Sequence, residues 1–383
     1  MVHKRWLLVI PAMLLLMGCS AQKKSTAQSS QSPATTQYGK YNGLTLDVSR
    51  RHYRVATLTK FIKLVADHHG SFIQLHFSDD KDFAIENDYI GQSLKNAKKV
   101  NGVWYNKKTN QFFYSKAEIK YLVNDANKQH VTLIPEVDTP AHVTAMVKTM
   151  KANGKARLAK QVSWYSPNYR EKIHLNQAGI QFVEKLDNEV GASFADQDNL
   201  RFHLGGDEFS DNVSENPAYV KYLNATSANV EKMGFIPEAW NDGFLNRNIK
   251  QINHHIQVTY WSWTADQHGT LGATRRKSWA SMPKLIANGF QVFNYNDYYL
   301  YFNLSKANIT QKNVDYMIKD MRHYWKPTLW HDDYDPTFKS TKGIVGSSAS
   351  IWADSAGSFS DQQVYHAGAP FVKAFLTLAN NRS

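Results

Sequence analysis

The chain has 383 residues, of which 42% are hydrophobic, 13% aromatic and 20% charged, a globular composition that excludes a disordered or fibrous protein. That length holds two or three average domains or one α/β barrel. The formal charge of +12 raises a nucleic-acid partner, but the lysines are scattered and no nucleic-acid motif occurs, so the charge reads as a solvated basic surface that attracts anionic polymers.

The chain opens with Lys4 and Arg5, then an apolar run from Trp6 to Met17. That run is shorter than the ~20 residues of a membrane span. It ends in Leu16-Met17-Gly18-Cys19, the pattern of a bacterial lipobox. Residues 1–18 are therefore expected to be a lipoprotein signal peptide and Cys19, the one cysteine, the lipidated mature N-terminus. A plain cleaved signal and an uncleaved anchor are the alternatives. Residues 19–40 are rich in Ser, Thr, Gln, Lys and Ala and read as a flexible tether. The expected location is extracytoplasmic, either anchored to the cell membrane by lipid or secreted.

From residue 41 to 383 the texture is uniform and predicts one domain. GLTLDVSR from Gly43 reads as a strand. TLTKFIKLVADHHG from Thr57 reads as a helix, with Leu58, Phe61, Ile62 and Val65 at helical spacing and Gly70 as its stop. SFIQLHFSDD is a second strand, AEIKYLVNDANKQH a helix, VTLIPEVD a third strand, IQFVEKLDNEVGASF a helix and LRFHLGGDE a fourth strand. AYVKYLNATSANVEKMG is a helix, followed by strands in FIPEAWND, IQVTYWSW, FQVFNYNDYY and GIVGSSASIW. Alternating strands and helices predict a parallel sheet, and eight repeats a single (β/α)8 TIM barrel of the α/β class. An open doubly wound sheet is the rival, without its Gly-rich dinucleotide fingerprint.

Polar and aromatic residues gather where the strands end: Asp47 and Arg50; His76, Asp79 and Asp80; Glu136, Asp138 and His142; Asp207 and Glu208; Trp240 and Asp242; Trp261 and Trp263; Asp297 and Tyr301; Trp352 and Asp354. In a barrel that end is the mouth, where active sites are built. Indole faces beside carboxylates and an arginine suit a sugar. The adjacent carboxylates in FHLGGDEFS leave ordinary two-carboxylate glycoside hydrolysis open. A better fit has Glu208 protonate the glycosidic oxygen while Asp207 holds the N–H of a 2-acetamido group that attacks its own anomeric carbon. On this reading Asp207 stays ionised and its charge keeps Glu208 protonated.

HLGGDE resembles the H-x-G-G-D-E signature of family 20 glycoside hydrolases, the β-N-acetylhexosaminidases. The resemblance runs from about Gly43 to the C-terminus, with LDVSRRHY, LHFSDDKDFAIE, LIPEVDTPAH, WNDG, TYWSW, NYNDYYLY and SIWAD in the family's order. Many members carry another α/β domain before the barrel. This chain resembles those that have only a tether and cleave the poly-β-1,6-N-acetylglucosamine of biofilm matrix. The resemblance implies Glu208 as general acid/base, Asp207 as the acetamido-orienting carboxylate and Tyr301 as the acetamido-binding hydroxyl. It implies Trp240, Trp261 and Trp352 as walls, Arg50 as a clamp on the non-reducing end, and His142 with Asp79 as a His–Asp pair behind the acid. Two departures bear on linkage and on exo or endo action. Asp354 stands where the resembled pattern has Glu, and the acid after YWSW is shifted, leaving Asp266 for the 6-hydroxyl.

The same residues have plainer readings. The tryptophans can be barrel packing, His142 a helix cap, Arg50 an ion pair with Asp354 or Asp47, and His76 an interior residue. TRRKSW from Thr274 reads as a solvated loop. The histidine pairs at His68 and His254 lack a third partner, and Asp79, Asp80 and Asp82 lack a calcium-loop spacing, so neither metal nor cofactor is expected. The expected partner is an N-acetylglucosamine polysaccharide, met by a monomer. The alternatives are an enzyme for β-1,4-linked chitin or peptidoglycan fragments, and a glycan-binding lipoprotein without catalysis.

Overall fold

The structure, a computed structural model, describes residues 41–381 apart from 168–169, 210–212, 266–268 and 332–336. The expected signal peptide, Cys19, the whole tether and Asp266 lie outside the described residues. Eight parallel strands close on themselves: β1 (Tyr41–Asp47), β2 (Phe72–His76), β3 (Thr132–Glu136), β4 (Arg201–His203), β5 (Ile236–Trp240), β6 (Gln257–Tyr260), β7 (Val292–Asn294) and β8 (Ile344–Trp352). Each pairs with the next, and β8 returns to β1, from Tyr41 against Gly346 to Leu46 against Ile351. The predicted (β/α)8 barrel is therefore the fold, and closure excludes the open sheet.

The outward face of the strands and the surrounding helices share one apolar layer. The helix Val55–Asp67 buries Leu58, Phe61, Ile62 and Val65 against it, an i, i+3, i+4, i+7 stripe. The pleat sends alternate strand residues into the barrel, where they stack in layers. At the closed end Arg201 bonds to Glu238 and to Gln257 Oε1 (2.5 Å), with its guanidinium over the rings of Tyr41 and Phe293. Halfway up, Tyr295 Oη donates to Gln74 Oε1 (2.7 Å), and Thr45 Oγ1 lies 3.1 Å from Ser348 Oγ. At the mouth the inward positions are Asp47, His76, Glu136, Trp240, Trp261 and Trp352. The sequence places these two residues apart on the strands, so one face of each strand carries both core and site.

Three regions differ from the sequence reading. The run FQVFNYNDYY is not one strand: β7 stops at Asn294, and Asn296 Oδ1 accepts Tyr299 N–H (3.0 Å) to start a helical turn, Asp297–Leu300. Tyr301–Asn303 then forms a separate short strand, parallel to Ser350–Trp352. TRRKSW is not a solvated loop. It ends a helix, Gly269–Ser278, in which Arg275 is buried over Trp279 and donates to Thr264 O (2.8 Å). Two insertions lack periodic patterns that would announce them. One is an antiparallel meander spanning residues 97–113. The other, after β3, holds two short helices and a hairpin of Ser163–Ser166 with Arg170–Ile173.

Candidate active site

The segment after β4 explains its own sequence. His203 Nδ1 accepts the N–H of Gly205 (3.1 Å), which leaves the ring proton on Nε2, facing Thr259 Oγ1 (2.8 Å). Burial lowers the pKa of His203 to about 4, so it is neutral although Glu136 lies 3.6 Å away. Gly206 N–H donates to Asp138 Oδ1 (2.9 Å). A Cβ on Gly205 would lie 2.1 Å from that carboxylate oxygen, and one on Gly206 2.2 Å from Tyr219 Oη. Both glycines have positive φ, +73° and +98°. Only glycine lets the chain pass between Asp138 and Tyr219 in this conformation. Glu208 and His142 also sit at positive φ, +46° and +52°, a conformation that costs an L-residue about 1–2 kcal/mol. The Glu208 turn is held by its N–H donating to Asp242 Oδ1 (3.0 Å).

Asp207 and Glu208 open into a cavity of about 270 Å³, near the lower end of small-ligand sites of about 300–1,000 Å³. Trp240, Trp261, Trp352 and Tyr301 wall it. The indole N–H of Trp240 donates to Glu136 Oε1 (2.8 Å) and that of Trp261 to Asp242 Oδ2 (2.7 Å). The buried N–H of Trp352 has no hydrogen-bond partner among the described residues. Trp261 and Tyr301 are parallel within 6°, with ring centres 6.5 Å apart. Arg50 enters from the side, held by Asp47 (3.0 Å) and Asp79 (2.6 Å), with its Nε 3.3 Å from Asp354. Burial opposes the charge of Arg50, but these three carboxylates together raise its pKa above the usual arginine value. Asp354 is 59% exposed at the rim. The structure thus gathers Arg50, Asp207, Glu208, Trp240, Trp261, Tyr301, Trp352 and Asp354 around one cavity. Trp263 turns away and packs on Trp330 and His331.

Two expectations are corrected. His142 does not pair with Asp79. Its Nδ1 faces Asp80 (3.8 Å), and its Nε2 lies 3.6 Å from Glu208 and 3.8 Å from Asp207. Asp79 is taken by Arg50 and by His76 (3.3 Å). The pKa shifts of the two acids in the free protein also run opposite to the expected directions. The imidazole of His142, 3.6 Å away, lowers the pKa of Glu208, which is half exposed, with the charges of Arg275 and Arg50 acting the same way and burial opposing them. Burial raises that of Asp207, as does the charge of Glu208, while His142 opposes them. Asp138, buried beside Asp207, is pushed far above the carboxylate range by burial and by that neighbour's charge. Burial and then Asp207 raise Asp242 to about 7. Burial works against a charge on His142, yet Asp80, Glu208 and Asp207 raise its pKa well above the ordinary histidine value.

Sequence reasoning gave no role to Asp80, Asp138, Asp242 or Asn303, and left His76 as an interior residue. His76 in fact lines the cavity and bridges Asp79 to Glu136 (3.1 Å). Although burial opposes both charges, Glu136 raises the pKa of His76 while His76, His203 and Gln74 lower that of Glu136 to about 2. The strand-end position of Asp80, Asp138 and Asp242 was the available signal. Asn303 shares a strand face with Tyr301, a signal hidden when that strand is missed. Two triads, Asp79–Asp80–His142 and Asp138–His142–Asp207, bring potential ligand atoms within 4.8 Å of one another. Both include His142, whose neighbours Asp80, Glu208 and Asp207 favour its protonated form.

The model of the glycosyl hydrolase family 20 catalytic domain matches residues 40–366. Among solved structures, dispersin B aligns with a TM-score of 0.83 at 31% identity, over 90% of this chain and 99% of its own. The tandem family 20 modules of the pneumococcal exo-β-D-N-acetylglucosaminidase StrH share the fold, with a TM-score of 0.66 at 18% identity, over 90% and 84%. A beta-hexosaminidase of Vibrio furnissii is 22% identical over 335 residues, 82% of this chain and 52% of that protein. A lacto-N-biosidase of Bifidobacterium bifidum is 23% identical over 265 residues, 64% and 21%. The chain thus spans about half or less of the length of these two curated relatives. With its signature turn, its barrel and a family match over most of its length, the chain belongs to family 20 of the glycosyl hydrolases.

Proposed function

We propose that the protein is a retaining β-N-acetylglucosaminidase that hydrolyses poly-β-1,6-N-acetylglucosamine with the substrate's own 2-acetamido group as nucleophile. The observation that carries this reading is the opening of Asp207 and Glu208 into one aromatic-walled cavity that suits a single sugar ring. The acetamido carbonyl oxygen attacks the anomeric carbon as Glu208 gives its proton to the departing glycosidic oxygen. Asp207 holds the amide N–H and stabilises the positive charge of the cyclic intermediate. Water then attacks the anomeric carbon, its proton returns to Glu208, and the β configuration is kept. In the free enzyme His142 and the two arginines favour ionised Glu208. A sugar seated over that half-exposed carboxyl removes its water, and burial raises the pKa toward what an acid catalyst needs.

Arg50 and Asp354 suit the hydroxyls of a chain end, and the unpartnered N–H of Trp352 suits a sugar oxygen. An enzyme that removes terminal units fits that closure. The β-1,6 preference is favoured by the likeness to dispersin B, which is 31% identical and aligns over 90% of this chain and 99% of its own. A β-1,4 glycan is the second choice. A pure lectin would not need an acid at Glu208. Digesting β-1,6 and β-1,4 N-acetylglucosamine oligomers side by side tests the linkage, with faster cleavage of the β-1,6 oligomer expected. Equal or opposite preference would overturn that part of the proposal. We further propose that residues 1–18 direct the enzyme out of the cytoplasm and that lipid on Cys19 holds it at the membrane. Cys19→Ala should release it from the membrane fraction, and its retention there would sink the anchor.

A further inference from the structure

A second cavity, of about 340 Å³, lies beside the first and has no part in the chemistry above. It is lined by Tyr298, Tyr299 and Tyr316 together with Asn308, Asn313 and Asp320. Tyr298 and Tyr316 are 60% and 61% exposed, a large phenol surface to leave in water. Tyr298 and Tyr299 meet edge to face, with ring centres 4.7 Å apart. The amides are fixed: Asn308 Nδ2 donates to Asn303 O (2.7 Å) and Asn313 Nδ2 to Ala307 O (2.8 Å). Each amide therefore keeps its Oδ1 as an acceptor. No lysine or arginine lines the cavity and Asp320 does, which disfavours a phosphate or a nucleic acid. Flat phenol faces with fixed amide and carboxylate acceptors match the apolar faces and the hydroxyl or amide N–H groups of a pyranose.

The two cavities share a partition. Tyr301 and Asn303 line the catalytic cavity, the Asn303 carbonyl holds Asn308 in the second, and the turn Asp297–Leu300 carries Tyr298 and Tyr299.

We propose that this cavity is a second carbohydrate-binding site, which holds a pyranose unit of the same glycan while another unit occupies the catalytic cavity. The choice of ligand rests on the hydrolase reading. The site would raise the local concentration of polymer at the mouth without touching the reacting bond.

Tyr316→Ala tests this, because Tyr316 is exposed on the helix Gln311–Tyr324 and away from the catalytic walls. Two substrates are compared, long poly-N-acetylglucosamine and a chromogenic N-acetylglucosaminide. The variant should lose about three- to ten-fold in kcat/KM on the polymer, the loss expected for one aromatic contact, and keep wild-type kcat/KM on the small glycoside. Tyr316→Phe should retain most of the polymer rate. In a Glu208→Gln background, titration with the N-acetylglucosamine monosaccharide, too short to bridge the two cavities, should give two binding events per chain, reduced to one by Tyr316→Ala. An unchanged polymer-to-monosaccharide ratio, equal loss on both substrates, or a single binding event in the parent would overturn the second site. Wild-type enzyme inert toward the chromogenic glycoside would overturn the hydrolase reading instead, and the monosaccharide stoichiometry would still decide the second site.

Discussion

The two ends of the barrel bury charge in opposite ways. At the closed end, Arg201 and Glu238 face each other, with Gln257 as a further acceptor and two aromatic rings around the guanidinium. At the mouth, Asp80, Asp138, Asp207 and Glu208 crowd around the imidazole of His142, and Asp242 lies near Asp207 and Glu208. Burial and mutual repulsion push up the pKa of Asp138, Asp207 and Asp242. At the closed end Arg201 opposes the rise that burial gives Glu238. At the mouth the acids outnumber the cations that face them, and on the proposed reading the oxocarbenium-like transition state adds positive charge there. Charge frustration in one region and charge pairing in the other separate function from support within a single set of strands.

The largest test of that contrast is Glu208→Gln. It should lower kcat on an unactivated glycan by about 10³-fold with the fold intact, since only the mouth loses a group. A near-wild-type rate would break the assignment. Next is Arg201→Met at the closed end. Leaving Glu238 buried without its partner should cost about 3 kcal/mol in denaturant unfolding, while activity per folded molecule holds. A catalytic defect larger than the stability defect would mean that the two ends are not separable. The smallest effect concerns pH. The acid form of Glu208 is needed, and its pKa is lowered in the free enzyme, so the alkaline limb of kcat/KM should lie at lower pH than that of kcat, which reports the complex. Coincident limbs, or limbs in the reverse order, would show that sugar binding does not raise the acid.

The barrel was legible because its strands and helices carry clean periods, and the stripe Leu58, Phe61, Ile62 and Val65 is one case. The cavity was legible because barrel geometry converts strand ends into one place. Hairpins such as Ser163–Ile173 were not, since two short strands bury too little to impose a pattern. Tyr301 was found on the wrong element, because Asn296 starts a helical turn that a β-rich run concealed. The directions in which the pKa values of Asp207 and Glu208 shift in the free protein differ from the sequence reading. Adjacency in sequence says that two acids repel, but which one yields depends on His142 and Asp138, from another loop. Only the folded chain brings those together.

The central claim, that the sugar's amide does the attacking, is met most directly by a series of chromogenic glucosaminides whose N-acetyl group carries zero to three fluorines. Each fluorine draws electrons from the carbonyl oxygen, so kcat/KM should fall steadily across the series. A flat series, with the fluorinated compounds cleaved as fast as the parent, would contradict it.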